Sequence, residues 1–155
     1  MTTLTLLSDN VDAYKRILAL VGRLCERVQF IVRTEHAGAK SDAELRAIEP
    51  WRLTQRVVSS WPGTILFDGT ATLSEYALNP EVDAFLKTKA QRFSEWVAPG
   101  LPEDLCFLRQ DGSWLLASVT HEGDVFIEVS NDERHELALM YPDFLALFSA
   151  EGAGN

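Results

Sequence analysis

His121 and Glu122 are adjacent, and Asp124 follows two residues later. An imidazole beside carboxylates is the usual equipment for general acid–base chemistry. The spacing here works against it. Neighbouring residues of a strand point to opposite faces, so an extended segment keeps His121 and Glu122 from sharing a substrate. His121 and Asp124 instead flank one turn, within reach of a hydrogen bond. His36 falls in a loop and His135 on a polar helix face. Three scattered histidines lack the ligand spacing that marks a metal site, and no cofactor is expected. A nucleophilic cysteine needs exposure and a nearby base. Cys25 and Cys106 have apolar neighbours instead and read as buried thiols. Two cysteines with no CxxC form no disulfide framework. GxSxG, HExxH, P-loop and GxGxxG patterns are absent, and the glycines stand mostly singly at turns.

Charge is the stronger signal. The 155 residues carry a formal charge of -9. Residues 1–62 hold nine Lys/Arg and seven Asp/Glu, whereas residues 63–155 hold five and sixteen. Beyond Glu103 the basic side chains are Arg109 and Arg134, against a long run of acids. Such a half repels phosphate backbones and disfavours nucleic acid. Trp51 lies near Arg52 and Arg56, but that region is too weakly basic to make a base-stacking platform. The acidic half attracts a basic protein. Asp104, Asp111, Glu122, Asp124, Glu128, Asp132, Glu133 and Glu136 are the expected partner-binding residues, gathered at one end of the domain by turns and a helix start. Recognition also needs a few apolar or aromatic anchors. Trp61 and Trp96, next to prolines, are candidates for the rim of a groove.

The elements that must position these residues follow from periodicity. The length suits one domain over 1–150, with a frayed tail at 151–155. Val11, Tyr14, Ile17, Leu18, Val21, Leu24, Cys25 and Val28 recur at three- and four-residue steps, which predicts an amphipathic helix over 10–28. Ser8, Asp9 or Asn10 caps it. Phe30 to Val32 is a short β-prone run. Ser41 to Glu44 matches a capping box, with Leu45 and Ile48 on the apolar side until Pro50 interrupts. Residues 52–61 fit either a helix or a strand. Trp61-Pro62-Gly63 is a turn. Asp68-Gly69 predicts a hairpin between residues 64–67 and 70–76. Asn79 starts a helix running through Trp96. Residues 105–110, 113–121 and 124–129 read as a meander through Asp111-Gly112 and Glu122-Gly123. Two-residue loops would set Leu108 opposite Leu115 and Val119 opposite Phe126. Both faces of that meander are apolar, so helices should cover at least one. Ser130 to Glu133 is a second capping box, opening a helix to Phe148 with a break at Pro142. The fold class is α+β, a largely antiparallel sheet with packed helices.

The blocks Leu105-Cys106-Phe107-Leu108-Arg109, Asp111-Gly112-Ser113-Trp114-Leu115 and His121-Glu122 resemble segments of small uncharacterised bacterial proteins. In size and acidity the whole chain also resembles immunity proteins that neutralise bacterial toxins. That resemblance implies a protein-binding module inhibiting a basic toxin, and it carries over no particular residue. Secretion chaperones of the type III kind are similar in being small, acidic and α+β, though the segment at 41–60 departs from their usual order. An enzyme without a recognisable motif is the remaining class. Residues 1–10 have neither a basic segment nor a long apolar core, so no signal peptide is expected and the location is cytoplasmic. No run is long enough to span a bilayer.

Overall fold

The computed structural model describes residues 1–150. The chain is a single α+β domain, as its patterning predicts. In order the elements are β1 (Thr2–Leu6), α1 (Val11–Leu24), β2 (Arg27–Arg33), α2 (Lys40–Glu44), β3 (Arg52–Val58), β4 (Ser60–Trp61), β5 (Thr64–Ile65), β6 (Ala71–Ala77) and α3 (Pro80–Lys89). Then come β7 (Glu103–Leu108), β8 (Trp114–Val119), β9 (Asp124–Val129), α4 (Asn131–Met140), α5 (Pro142–Leu145) and β10 (Phe148–Ala150). One sheet has the order β10-β1-β9-β8-β7-β2-β6-β3 with every pair antiparallel, and β4-β5 is a separate hairpin. No described helix is long and apolar enough to cross a membrane. The expected tail at 151–155 lies outside the described residues.

The sheet sends alternate residues to two cores. Val28, Phe30, Tyr76, Phe107, Leu116 and Ile127 meet Tyr14, Ile17 and Leu18 of α1, Phe85 of α3, and Leu137 and Phe144 of the last helices. Phe30 sits at the middle, with ring centroids 5.5 Å from Tyr76 and from Trp96 and 6.1 Å from Phe85. On the opposite face Ile31, Ala71 and Leu73 pack under Trp61 of the β4-β5 hairpin, and Cys106, Leu108 and Ala117 pack with Trp114 and Phe126.

Several elements differ from the pattern-based expectation. The helix over 10–28 ends at Leu24, where Cys25 turns extended (φ -128°, ψ 153°) and Val28 enters a strand. Asn10 caps it, accepting from Ala13 N, while Asp9 accepts from Phe93 N and Ser94 N across the fold. Ser41 lies inside α2 with its hydroxyl buried and unpartnered, so no capping box forms there. Residues 52–58 are a strand. The 64–76 hairpin does not exist: residues 64–65 fold back on 60–61, and β6 pairs with β2 and β3. A local turn signal at Asp68-Gly69 loses to long-range pairing. The helix from Asn79 stops at Lys89, with a separate turn at Phe93–Glu95. The final helix stops before Phe148, which is in β10, and β1 is a strand beyond those expected.

The meander forms as expected, with its register shifted by longer connections. Arg109 N donates to Ser113 O at 2.7 Å, closing a five-residue turn, and Leu108 faces Trp114 next to a bulge. Thr120–Glu122 is a single 3-10 turn, so Val119 faces Asp124 and Ala117 faces Phe126. The bulge exchanges the faces predicted for Trp114 and Leu115.

The hairpin seats on the sheet through Gly63, whose φ is +88° and whose missing Cβ would lie 2.5 Å from Val119 Cγ2. Gly69 has nearly the same φ, +89°, and open space around it. Gly63→Ala should therefore destabilise the fold by about 2–4 kcal/mol and Gly69→Ala by about 1–2 kcal/mol. Urea denaturation of the two variants measures the difference, and equal losses would mean the hairpin does not rest on β8.

Candidate partner-binding surface

The predicted acids fall into three groups. Asp111, Asp132, Glu133 and Glu136 surround a shallow depression of about 370 Å³ with Arg109, Ser113 and Ser130 on its walls. The β7-β8 turn and the start of α4 meet there, so four of the eight do converge at one end. Glu122 and Asp124 lie at the β8-β9 connection, at the other end of the meander, and both are exposed. Glu128 is half-buried on β9 opposite Thr3. Asp104 is 1% exposed.

Arg109 organises the convergent end. Its Nε donates to Glu133 Oε2 at 2.9 Å, Nη1 to Trp114 O at 2.7 Å, and Nη2 to Glu128 O at 2.6 Å and to the other Glu133 oxygen. One planar guanidinium thus ties β8, β9 and α4 together. Ser130 caps α4, accepting from Glu133 N at 3.0 Å. The reciprocal half of the expected box is missing, because the Glu133 carboxylate faces Arg109. Asp111 accepts from Ser113 N at 2.9 Å and Ser113 Oγ at 2.6 Å. The Ser113 hydroxyl, then its amide, hold the Asp111 carboxyl below the usual range. Asp132 and Glu136 have exposed side chains on α4. They are the acids of this end that remain free to meet a partner.

Asp104 has an internal role. It adopts φ 56°, and its carboxylate accepts from Trp61 Nε1 at 2.8 Å and Thr120 N at 2.9 Å. Glu103 beside it is 5% exposed and accepts from Arg33 Nε at 2.7 Å. Arg33 also lies over the Trp61 ring at 5.4 Å. The pair fastens the β4-β5 hairpin across β2 and β7. The donor atoms of Glu103, Asp104 and His121 lie within 4.8 Å of one another, which is a ligand-like grouping. Both carboxylates already serve N–H donors, one of them a guanidinium that repels a cation, so the grouping fits a structural tie better than a metal site. Residues 120–122 form a turn, so His121 and Glu122 do not oppose each other as strand neighbours would. Their Nε2 and Oε1 are 3.8 Å apart.

Trp61 and Trp96 are 6% and 0% exposed, so neither rims a groove. Trp96 Nε1 donates to the Tyr14 hydroxyl, which donates to Leu86 O. Exposed apolar side chains lie elsewhere. α4 buries Leu137, whereas Leu139 is 72% and Met140 66% exposed. Neither is among the expected anchors, Trp61 and Trp96. Residues 132, 136 and 139–140 share one helical stripe.

Comparison with family models, curated proteins and solved structures finds no match.

The two thiols are inert as buried groups should be. Burial, the largest cause in each, pushes Cys25 up to about 12 and Cys106 higher still. An unfolded thiol titrates near about 8.5. Above that pH the unfolded chain releases protons the folded chain keeps, so stability is full below it and falls as pH rises toward the folded values. Folding free energy should therefore decline from about pH 8.5 to about pH 10. Cys25→Ala with Cys106→Ala should flatten that slope, measured by urea titration at each pH. An unchanged slope would show the thiols to be accessible.

Proposed function

We propose that this protein is a cytoplasmic protein-binding module, an immunity-type inhibitor that presents the outer face of α4 to a basic toxin. The observation that carries this reading is the composition of that face. Asp132 and Glu136 lead into Leu139 and Met140 along one exposed stripe, with Asp111 across the depression. Exposed carboxylates steer a basic partner and raise the association rate, with a reach of about 8 Å at physiological salt. Apolar side chains at the centre of a contact set the dissociation rate. Arg109 and Glu133 hold the helix in place from beneath, and their charges are spent on each other. A helix that gives the core one buried side chain has its remaining surface available for another protein.

The test is co-expression with a basic toxin encoded beside this chain, scored by growth rescue and by the affinity of the purified pair. Asp132→Lys with Glu136→Lys should weaken binding at least about tenfold and flatten its salt dependence. Leu139→Ala with Met140→Ala should accelerate dissociation, and His121→Ala should leave both readouts unchanged. Wild-type rescue and affinity in the four-residue α4 variant, with an unchanged circular dichroism spectrum, would overturn the proposal.

A further inference from the structure

α1 and α3 lie against each other, joined by the Tyr14 hydroxyl that donates to Leu86 O at 2.6 Å. A groove of about 390 Å³ opens between the two helices. Small-ligand sites span about 300–1,000 Å³ and are mostly apolar, with a few polar groups that fix orientation. The groove has that make-up. Its floor is Tyr14, Leu18 and Ala90, each 5% exposed or less. Ala19 lines it from α1 with only a methyl group, which leaves room above the floor. Lys15, Lys87 and Gln91 complete the lining, and all three are exposed. Lys15, Leu18 and Ala19 are three and four residues apart, so they share one face of α1. The charge of the groove is opposite to that of the molecule. The chain has 23 acids against 14 Lys/Arg, yet the lining has two lysines and no described acid. The acids around it are engaged: Asp12 with Arg16 at 2.8 Å, Asp83 with Lys87 at 2.7 Å, and Glu95 with the amides of Gln91 and Arg92. Lys15 has no acid partner among the described residues.

We propose that the α1–α3 groove binds a small carboxylate with an unbranched apolar body, of the medium-chain fatty acid class. The apolar body lies over Leu18, Ala19 and Ala90, and the carboxylate meets the Lys15 ammonium, with Lys87 and the Gln91 amide beside it. Covering the floor removes apolar area of both ligand and protein from water. A lysine carries a compact charge on a flexible stem, so it can follow a carboxylate at an open mouth. Other ligand classes fit less of the groove. A cationic amphiphile meets two like charges, and a neutral one leaves both lysines unused. A small inorganic anion leaves the apolar floor uncovered. A polyanion is repelled by the acidic remainder of the chain. The groove shares no lining residue with the depression beside α4, so the proposal does not depend on what α4 binds.

The experiment titrates the full chain with sodium octanoate and follows backbone amides by nuclear magnetic resonance. Octanoate should bind saturably, moving amides of residues 14–19 and 86–91, with a Kd of about 0.1–1 mM for a ligand of this size. Octanol, with the same chain and no charge, should bind about three- to tenfold more weakly. Octylammonium should leave these amides in place. Lys15→Gln with Lys87→Gln should lower the octanoate affinity to that of octanol and leave octanol unchanged. Ala19→Phe should fill the groove and abolish binding of both, with an unchanged circular dichroism spectrum. Amides of this groove that stay in place at about 10 mM octanoate, roughly tenfold above the expected range, would overturn the proposal. So would equal shifts with octylammonium, or full octanoate affinity in the double lysine variant. Shifts that arise with phosphatidylglycerol vesicles and not with octanoate would also overturn it and assign the groove to a membrane surface.

Discussion

The seven residues of β2 have no free edge and no free face. Each of them pairs with β6 on one side, and β7 runs along the other. Val28, Phe30 and Val32 lie under the helices, while Ile31 lies under Trp61. β6 and β3 join the sheet through this strand alone, as do β7 and everything beyond it. A strand so placed must be apolar on both faces, and residues 28 and 30–32 are. The one polar side chain within that run, Gln29, is 3% exposed with its amide nitrogen unpartnered.

The remaining order follows from β2. The helices cover the face that carries Phe30, and their hydrogen bonds are aimed at one another: Trp96 to Tyr14, Tyr14 to Leu86. The other face carries no described helix in its two small apolar clusters. The hairpin of residues 60–65 covers part of it, and Arg33 with Glu103 and Trp61 with Asp104 hold that hairpin down. These contacts join residues 70 and 43 positions apart in sequence. Polar ties of this kind are strong when complete, since a buried group without its partner is penalised. Arg109 plays the same part at the far end, with Glu133.

The amino-acid pattern made the fold class legible because local rules and the final architecture agree over the meander and α1. It misled where a residue satisfied two patterns at once. Val28 fits the helical stripe after Leu24 and also the alternation of β2, and only pairing with β6 and β7 decides between them. Asp68-Gly69 is a good turn, yet turn chemistry does not say which strand lies next to which. The acids were legible as a group and not as individuals. Asp104 and Asp132 look alike in sequence, but one is enclosed by Trp61 and Thr120 while the other faces solvent. The exposure of Leu139 and Met140 depends on α4 docking by Leu137, a tertiary fact with no local signature.

The order of the strands also sets a timetable. Thr2 pairs with Val129, and Leu6 with Phe148. β1 is made before the other strands of the sheet and finds no partner among them until β9 and β10 have been made. At about 5–20 residues per second that is a wait of roughly 6–25 seconds. Through it the nascent chain carries a β-prone segment, Thr2–Leu6, with both edges unpaired. The half containing α1, β2, β3 and β6 can meanwhile collapse around Phe30, since the ring partners of Phe30, Tyr76, Phe85 and Trp96, are all made by residue 96. Synthesis therefore delivers this sheet from the middle outward, and its first strand is among the last to be placed.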